Sequence, residues 1–420
     1  MLKSGGSEGA YLVGEIFIDG PVGGGMGVRK FALFVLFLFL IPTVSAEAVT
    51  RIKLSDAGVL GETDLGIKVG EVSPDGASVL IAGAQGYARL LSATGADDRS
   101  KDIELLTGRT STVQDVAWHP RGNTALMMGD EGLALRYDTY DHGITFVNDS
   151  FSVMGYDLSA VDWRSGGDYA YVGSEDGMLW KFAEHIGFQS LNSTSTSRIT
   201  DISCHPNPNY NVCFASSLED GIAVIDRDHK LTWMSGTITE TWVGVECSDS
   251  VLNECVAFAS GLRSKALRIN TIDASQSYGE PTLMFDLSSG EQTDVTVGHG
   301  GTSLVHMAPF SLIRHEPQTS EAFTVLMAED AAEWDSVIAG RTMSVVWENG
   351  MHEGFMVTEF GNIIAFSPLL EEVDGNIMTV LVLGAVAVSV PGVILGLVYM
   401  NSPWLQRKYK AWRFPKNKSK

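Results

Sequence analysis

The stretch Val113-Gln114-Asp115-Val116-Ala117-Trp118-His119-Pro120-Arg121-Gly122 leads into Ala125-Leu126-Met127-Met128-Gly129, then Asp130-Glu131-Gly132, then Leu133 to Asp138. Short apolar runs separated by turn residues read as strands, and a glycine after an acid supplies the positive φ of a tight turn. The unit recurs. Leu158 to Trp163 leads through Arg164-Ser165-Gly166-Gly167 to Tyr169–Gly173, Glu175-Asp176-Gly177 and Met178 to Phe182. Ile199 to Cys204 leads through His205-Pro206-Asn207-Pro208 to Val212–Ser216, Glu219-Asp220-Gly221 and Ile222 to Asp226. With the phase set on Trp118, the equivalent positions are Val72, Trp118, Trp163, Cys204, Cys247, Val297 and Trp347, spaced 46, 45, 41, 43, 50 and 50 residues apart. Four-stranded propeller blades need roughly 40 to 50 residues each, and four to eight of them close a ring. The spacing predicts an all-β, seven-bladed propeller over residues 47–368.

The sixth copy, around Asp294 to Val297, is the weakest, and the seventh has only three strands before the chain turns away. Val49 to Leu54 alternates, with Ile52 and Leu54 on one face, and has no partner of its own. It is expected to supply the missing fourth strand of the last blade and lock the ring.

Composition agrees. The 420 residues are 45% hydrophobic and 19% charged with 45 glycines, too apolar for disorder and too glycine-rich for a helical bundle. With 29 Lys and Arg against 51 Asp and Glu, the net charge of −22 argues against nucleic acid as a partner. Such an acidic exterior is tolerated where salt screens self-repulsion, so a saline environment is expected.

The ends differ from the middle. Met26-Gly27-Val28-Arg29-Lys30, an apolar run from Phe31 to Ile41, and Val44-Ser45-Ala46 have the order of a secretory signal peptide over 26–46. Residues 1–25 then read as a gene-model extension with Met26 as the true start; an uncleaved anchor is the alternative. From Ile377 to Met400 run 24 residues without a charge, about 36 Å of helix and enough to span a bilayer. An acidic linker over 369–376 precedes this C-terminal transmembrane helix, and a basic tail over 401–420 follows. The bias of positive charge to one side puts the tail in the cytoplasm and the propeller outside the cell membrane. Trp404, Arg407, Lys408, Lys410, Trp412 and Arg413 are expected at the headgroup level of the lipid bilayer.

On these turns and strands the chain resembles the WD40 and WD40-like (YVTN) propellers, from Val49 to Ser367. The resemblance rests on the turn after an apolar triplet at Pro74 and Pro120 and on the acid-Gly turn before the third strand. Tyr137-Asp138, Phe182-Ala183, Ile225-Asp226 and Ile269-Asn270 stand where a typical repeat ends in Trp-Asp. Leu90 to Gly95 and Val224 to Trp233 also look like quinoprotein-type repeats, a class that includes dehydrogenases and non-catalytic scaffolds.

Cys204, Cys213, Cys247 and Cys255 occupy matching places in blades four and five, which favours local Cys204–Cys213 and Cys247–Cys255 bridges in an exported chain. Asn148-Asp149-Ser150 and Asn192-Ser193-Thr194 are candidate glycosylation sites. Glu131, Glu175, Asp176, Glu219 and Asp220 share one type of turn and would form an acidic arc on one rim, suited to a cationic partner or Ca²⁺. Acid-Gly as plain turn chemistry is the competing account. His119 and His205 recur before proline in one turn, where a structural role is expected. Catalytic motifs and cofactor fingerprints are missing, so no cofactor is expected. The leading expectation is a non-enzymatic, membrane-tethered propeller that binds a protein partner at the cell surface. The rivals are an exported propeller enzyme, a quinoprotein-like dehydrogenase or a polysaccharide-acting hydrolase, and a structural surface-coat component.

Overall fold

A computed structural model of the chain describes residues 51–93, 95, 98–261, 263–282, 290–338, 341–369 and 396–413. The expected leader, signal peptide, most of the acidic linker and residues 377–395 of the charge-free run lie outside these. Among the described residues no helix is long and apolar enough to cross a membrane.

Seven antiparallel four-stranded sheets form a β-propeller. The first strands of the blades are Ile67–Val72, Val113–Trp118, Leu158–Trp163, Ile199–Cys204, Trp242–Glu246, Glu291–Val297 and Met343–Glu348. Each contacts the first strands of the blades on either side, and the last contacts the first, so the ring closes. Apolar side chains fill the wedges between blades. At the closing seam Ile67, Val79, Ile81 and Leu91 pack on Val345, Trp347, Phe355, Val357 and Ile363.

The last blade is composite. Strand Ile52–Val59 pairs antiparallel with Asn362–Pro368, in the order N-terminal strand, last, middle, first. Ile52 and Leu54 are buried against Met356, Ile364 and Phe366, the face expected from their alternation. Two features exceed the expectation. The closing strand runs on to Val59, and a short helical insert, Ala328–Ala331 through Asp335–Ile338, packs Ala331 and Ile338 into the same cluster. That insert occupies part of the long interval before the seventh blade.

The weak sixth blade is complete, with strands Glu291–Val297, Ser303–Ala308, Ser311–Glu316 and Glu321–Leu326. Its signal was faint because its two middle strands bury His306, Arg314 and His315, which interrupt the apolar runs by which a strand is read. One register needs correction. Every first strand carries an irregularity at the same place, between Ile67 and Val69 in blade one and between Met343 and Val345 in blade seven. Counting from this shared bulge, Glu348 and not Trp347 is the equivalent of Trp118.

Cys204 bonds Cys213 and Cys247 bonds Cys255, 9 and 8 residues apart, the local pairing expected. Each ties a first strand, or the residue after it, to the second strand of its blade. Closing loops this short stabilises by about 2–3 kcal/mol in the chain-entropy account. A Cys204→Ala, Cys213→Ala double variant is therefore expected to melt several degrees below the oxidised protein. Equal midpoints in differential scanning calorimetry would refute a stabilising role for the bridge.

Candidate functional site

The first strands surround a central channel of about 800 Å³. Two positions on each strand matter: the residue just before the equivalent of Trp118, and the one three before it. In blades one, three and five the nearer position holds Glu71, Asp162 and Glu246; in blades two, four and six the farther position holds Asp115, Asp201 and Asp294. Six carboxyl groups thus stand in two alternating tiers along the channel, Glu348 of blade seven adds a seventh to its lining, and no Lys or Arg joins them among the described lining residues. Blade seven offers Trp347 and Val345 instead. Staggering keeps neighbouring acids off the same level, which lengthens the distances over which like charges repel. The lower-tier acids follow the shared bulge, a device that re-aims a side chain.

Four of these acids reach across to the next blade. Glu71 accepts the backbone N–H of Trp118 at 2.6 Å, Asp115 that of Val161 at 2.6 Å, Asp162 that of Cys204 at 2.6 Å and Asp201 that of Val245 at 2.9 Å. In each pair the donor lies one step further along the neighbouring strand, so one rule links blades one to five. Glu246 accepts from the Ser203 hydroxyl at 3.4 Å, and Asp294 from its neighbour Val295 N–H at 2.8 Å. Enclosure by the ring pushes Asp162 up to about 7 and Asp201 to about 8, against the lowering pull of their N–H donors. Burial, then the charges of neighbouring acids, raises Glu71, Asp115 and Glu246 well above the usual carboxylate range. Burial also raises Asp294, although 46% of its side chain is open to the channel.

At the mouth, the turns after the first strands clamp to one another. His119 donates Nε2–H to the Gly167 carbonyl at 2.9 Å, and His205 to that of Leu252 at 2.8 Å; each Nδ1 accepts a backbone N–H two residues on. Arg164 serves the same junction from blade three, with Nε donating to Asn211 at 3.1 Å. The structural role expected of the two histidines holds, and their tautomer follows from these bonds. In the sixth blade, His306 Nδ1 lies 3.2 Å from the Met343 carbonyl and 3.9 Å from Asp294, and its Nε2 lies 3.2 Å from the Thr296 hydroxyl. Burial lowers the His306 pKa, so the ring stays neutral and can accept from Thr296.

The expected acidic arc lies at the opposite ends of the strands, in the second-to-third turns of blades two to four. There its members are largely occupied. Asp176 accepts the Ser174 hydroxyl at 2.5 Å, Glu175 pairs with Arg198 at 3.3 Å, and Glu131 accepts from Ser111 at 3.1 Å. Asp220 accepts Thr196 N–H at 2.9 Å and Ser195 hydroxyl at 2.8 Å, which hold its pKa down. Glu219 is exposed. Turn chemistry explains the glycines too: a Cβ at Gly132, φ 78°, would collide with the Val153 carbonyl. No group of three or more His, Cys, Asp or Glu that could hold a metal occurs among the described residues.

Asn148 follows the fourth strand of blade two and Asn192 that of blade three; both are exposed. The tail forms a helix, Pro403–Arg413, in which Lys408 lies 4.7 Å over Trp404 and Arg413 5.8 Å over Tyr409, with Arg407, Lys410 and Trp412 exposed.

The channel acids were not anticipated. The available signal was a lone acid in an otherwise apolar first strand, at one of two phased positions, and it emerges only when the blades are stacked. No protein-family model matches the chain, and no curated protein matches it.

Proposed function

We propose that the protein is a non-enzymatic WD40-like propeller, held outside the cell by one C-terminal helix and serving as a binding platform for a protein partner. The observation that carries this reading is the use of the channel acids: four of the six are engaged with backbone N–H groups of the next blade, as rivets of a rigid ring. A rigid ring leaves recognition to the loops on its faces. Two bridged cysteine pairs fit an oxidising compartment. The chain leaves the last blade at Pro368, eight residues before the charge-free run. The exposed basic and aromatic helix after that run suits anionic lipid headgroups.

A second reading, an exported polysaccharide-acting hydrolase, is favoured by one observation: Thr296, His306 and Asp294 lie in a row in the wall of a channel that also holds acids protonated near neutrality. One experiment separates the two. The full-length protein is solubilised from its membrane with crosslinking, and bound proteins are identified, with polysaccharide turnover measured in parallel. A stoichiometric partner without turnover is the expected result. Turnover that disappears in Thr296→Val would replace the platform with the enzyme, and protease accessibility of the ectodomain on the cytoplasmic side would overturn the orientation.

A further inference from the structure

The first and third strands of each blade run the same way, so both end on the face where the turns after the first strands clamp together, the mouth face. Asn362–Pro368, the third strand of blade seven, ends there with Pro368 opposite Ile52, and the Leu369 N–H donates to the Arg51 carbonyl at 2.6 Å. Eight residues, 369–376, lead from this point to the charge-free run. Fully extended, they reach at most about 29 Å. To lay the opposite face on a bilayer they would have to run the height of the blade, about 24 Å for a strand of this length, and then cross a headgroup layer of about 5–7 Å. Nothing would remain for the turns on either face. The mouth face is the one that can rest against the membrane, and the acid-Gly turns then point away from it.

The outward face has a consistent chemistry. Segments joining one blade to the next bring exposed apolar residues against the second-to-third turns. A Cβ at Gly132 would lie 2.6 Å from Met154 Cα, and one at Gly221 would lie 3.4 Å from Ile238 N. Met154 is 62% exposed and Ile238 65%. Beside them Glu131 and Glu219 are exposed. Among the described residues, the bases in the connections of this face are Arg109, Arg198 and Arg341, and all three are engaged: Arg109 over the Phe146 ring, Arg198 with Glu175, and Arg341 with Asn362. The mouth face mixes signs, with Arg121, Arg227 and Lys230 exposed among its acids. We propose that the partner docks on the outward face and presents Lys or Arg side chains, together with apolar ones, to the turns at Glu131 and Glu219. Acidic turns flanked by uncovered apolar side chains complement such a surface in both charge and hydrophobicity. The inference rests on the membrane tether proposed above.

Two measurements on the full-length chain test it. In phosphatidylcholine vesicles with an acceptor dye at headgroup level, a donor dye on Tyr140→Cys, in a mouth-face turn, should transfer energy several-fold more strongly than one on Ile238→Cys. Both positions are exposed, so the fold survives the change. Protein that fails to float with the vesicles overturns the tether itself; floating protein with equal or reversed transfer overturns only the orientation. In the protein's own cells, a photo-reactive phenylalanine replacing Met154 or Ile238 should cross-link a segment rich in Lys or Arg. The same group replacing Tyr140 or Ile272 should not. The double variant Glu131→Lys, Glu219→Lys should lower the adduct yield several-fold. Adducts confined to the mouth face, an acidic cross-linked segment, a second copy of this chain, or a yield indifferent to the charge reversal would each refute the proposed surface.

Discussion

Removing residues 51–59 is expected to lower the thermal midpoint by about ten degrees or more, or to prevent recovery of folded protein. The segment gives the seventh blade its fourth strand and buries Ile52 and Leu54 in the cluster of Met356, Ile364 and Phe366. Two such side chains contribute roughly 3–6 kcal/mol, against a net stability of about 5–15 kcal/mol for an ordinary domain. The loss reaches further than the two residues. Asn362–Pro368 would become an open edge, and the insert at Ala328–Ile338 would lose the surface on which Ala331 and Ile338 rest. A peptide spanning residues 49–60, added in trans, should restore part of the midpoint. Lys53→Ala, on the exposed face of the same strand, should leave it unchanged. Circular dichroism melts decide the matter, and a deletion that melts with the full-length protein would refute closure by this strand.

The blades that could be read from the chain were those with strong turn chemistry. Blades two, three and four show acid-Gly turns, and their glycines do sit at positive φ: 78° at Gly132, 82° at Gly177 and 101° at Gly221. These positions are local and cannot be filled by other residues without strain, so they leave a visible mark. Blade six lacks the mark because its second-to-third turn carries Ala308-Pro309-Phe310, and because its middle strands bury His306 and His315. Composition alone then argues against a core. The one-residue phase error at Trp347 has a similar origin. Tryptophan in blades two and three invited alignment on tryptophan, whereas the bulge between Met343 and Val345 sets the true register at Glu348. The insert Ala328–Ile338 left no trace since its helical turns are too short for periodicity to be seen. Disulfide pairing was legible because it is a neighbour relation within one hairpin. The acidic channel was not, because it is a relation between residues far apart in sequence, 46 positions in the case of Asp115 and Val161.

The channel acids make the ring less stable as pH rises, and Asp201→Asn should reverse part of that loss. Between about pH 4, where an unfolded carboxyl releases its proton, and about 8, where folded Asp201 does, the folded protein holds a proton that the unfolded chain has lost. The stability linked to that proton is therefore fully present below pH 4 and gone above pH 8. Asp162 follows the same course with its upper limit near 7. Asparagine keeps an oxygen to accept the Val245 N–H and removes the charge, so its advantage over aspartate should be small near pH 4 and grow until pH 8 or so. A polar channel of about 800 Å³ has room for water, and screening there holds the gain per site to on the order of 1–2 kcal/mol, a few degrees in melting temperature. Burial, then the charge of Asp201, raises Asp115 and Glu246, and burial, then the charge of Asp162, raises Glu71, so neutralising one acid relieves its neighbours and paired substitutions should give less than the sum of the singles. Molar salt should favour the wild type most at high pH, where the charges it screens are present. Differential scanning calorimetry at pH 5, 7 and 9 checks both trends. An advantage of the Asp201→Asn variant that is flat across pH, or a wild type that gains stability from pH 5 to 9, would show that these carboxyls titrate as ordinary surface acids and that the ring derives nothing from their protons.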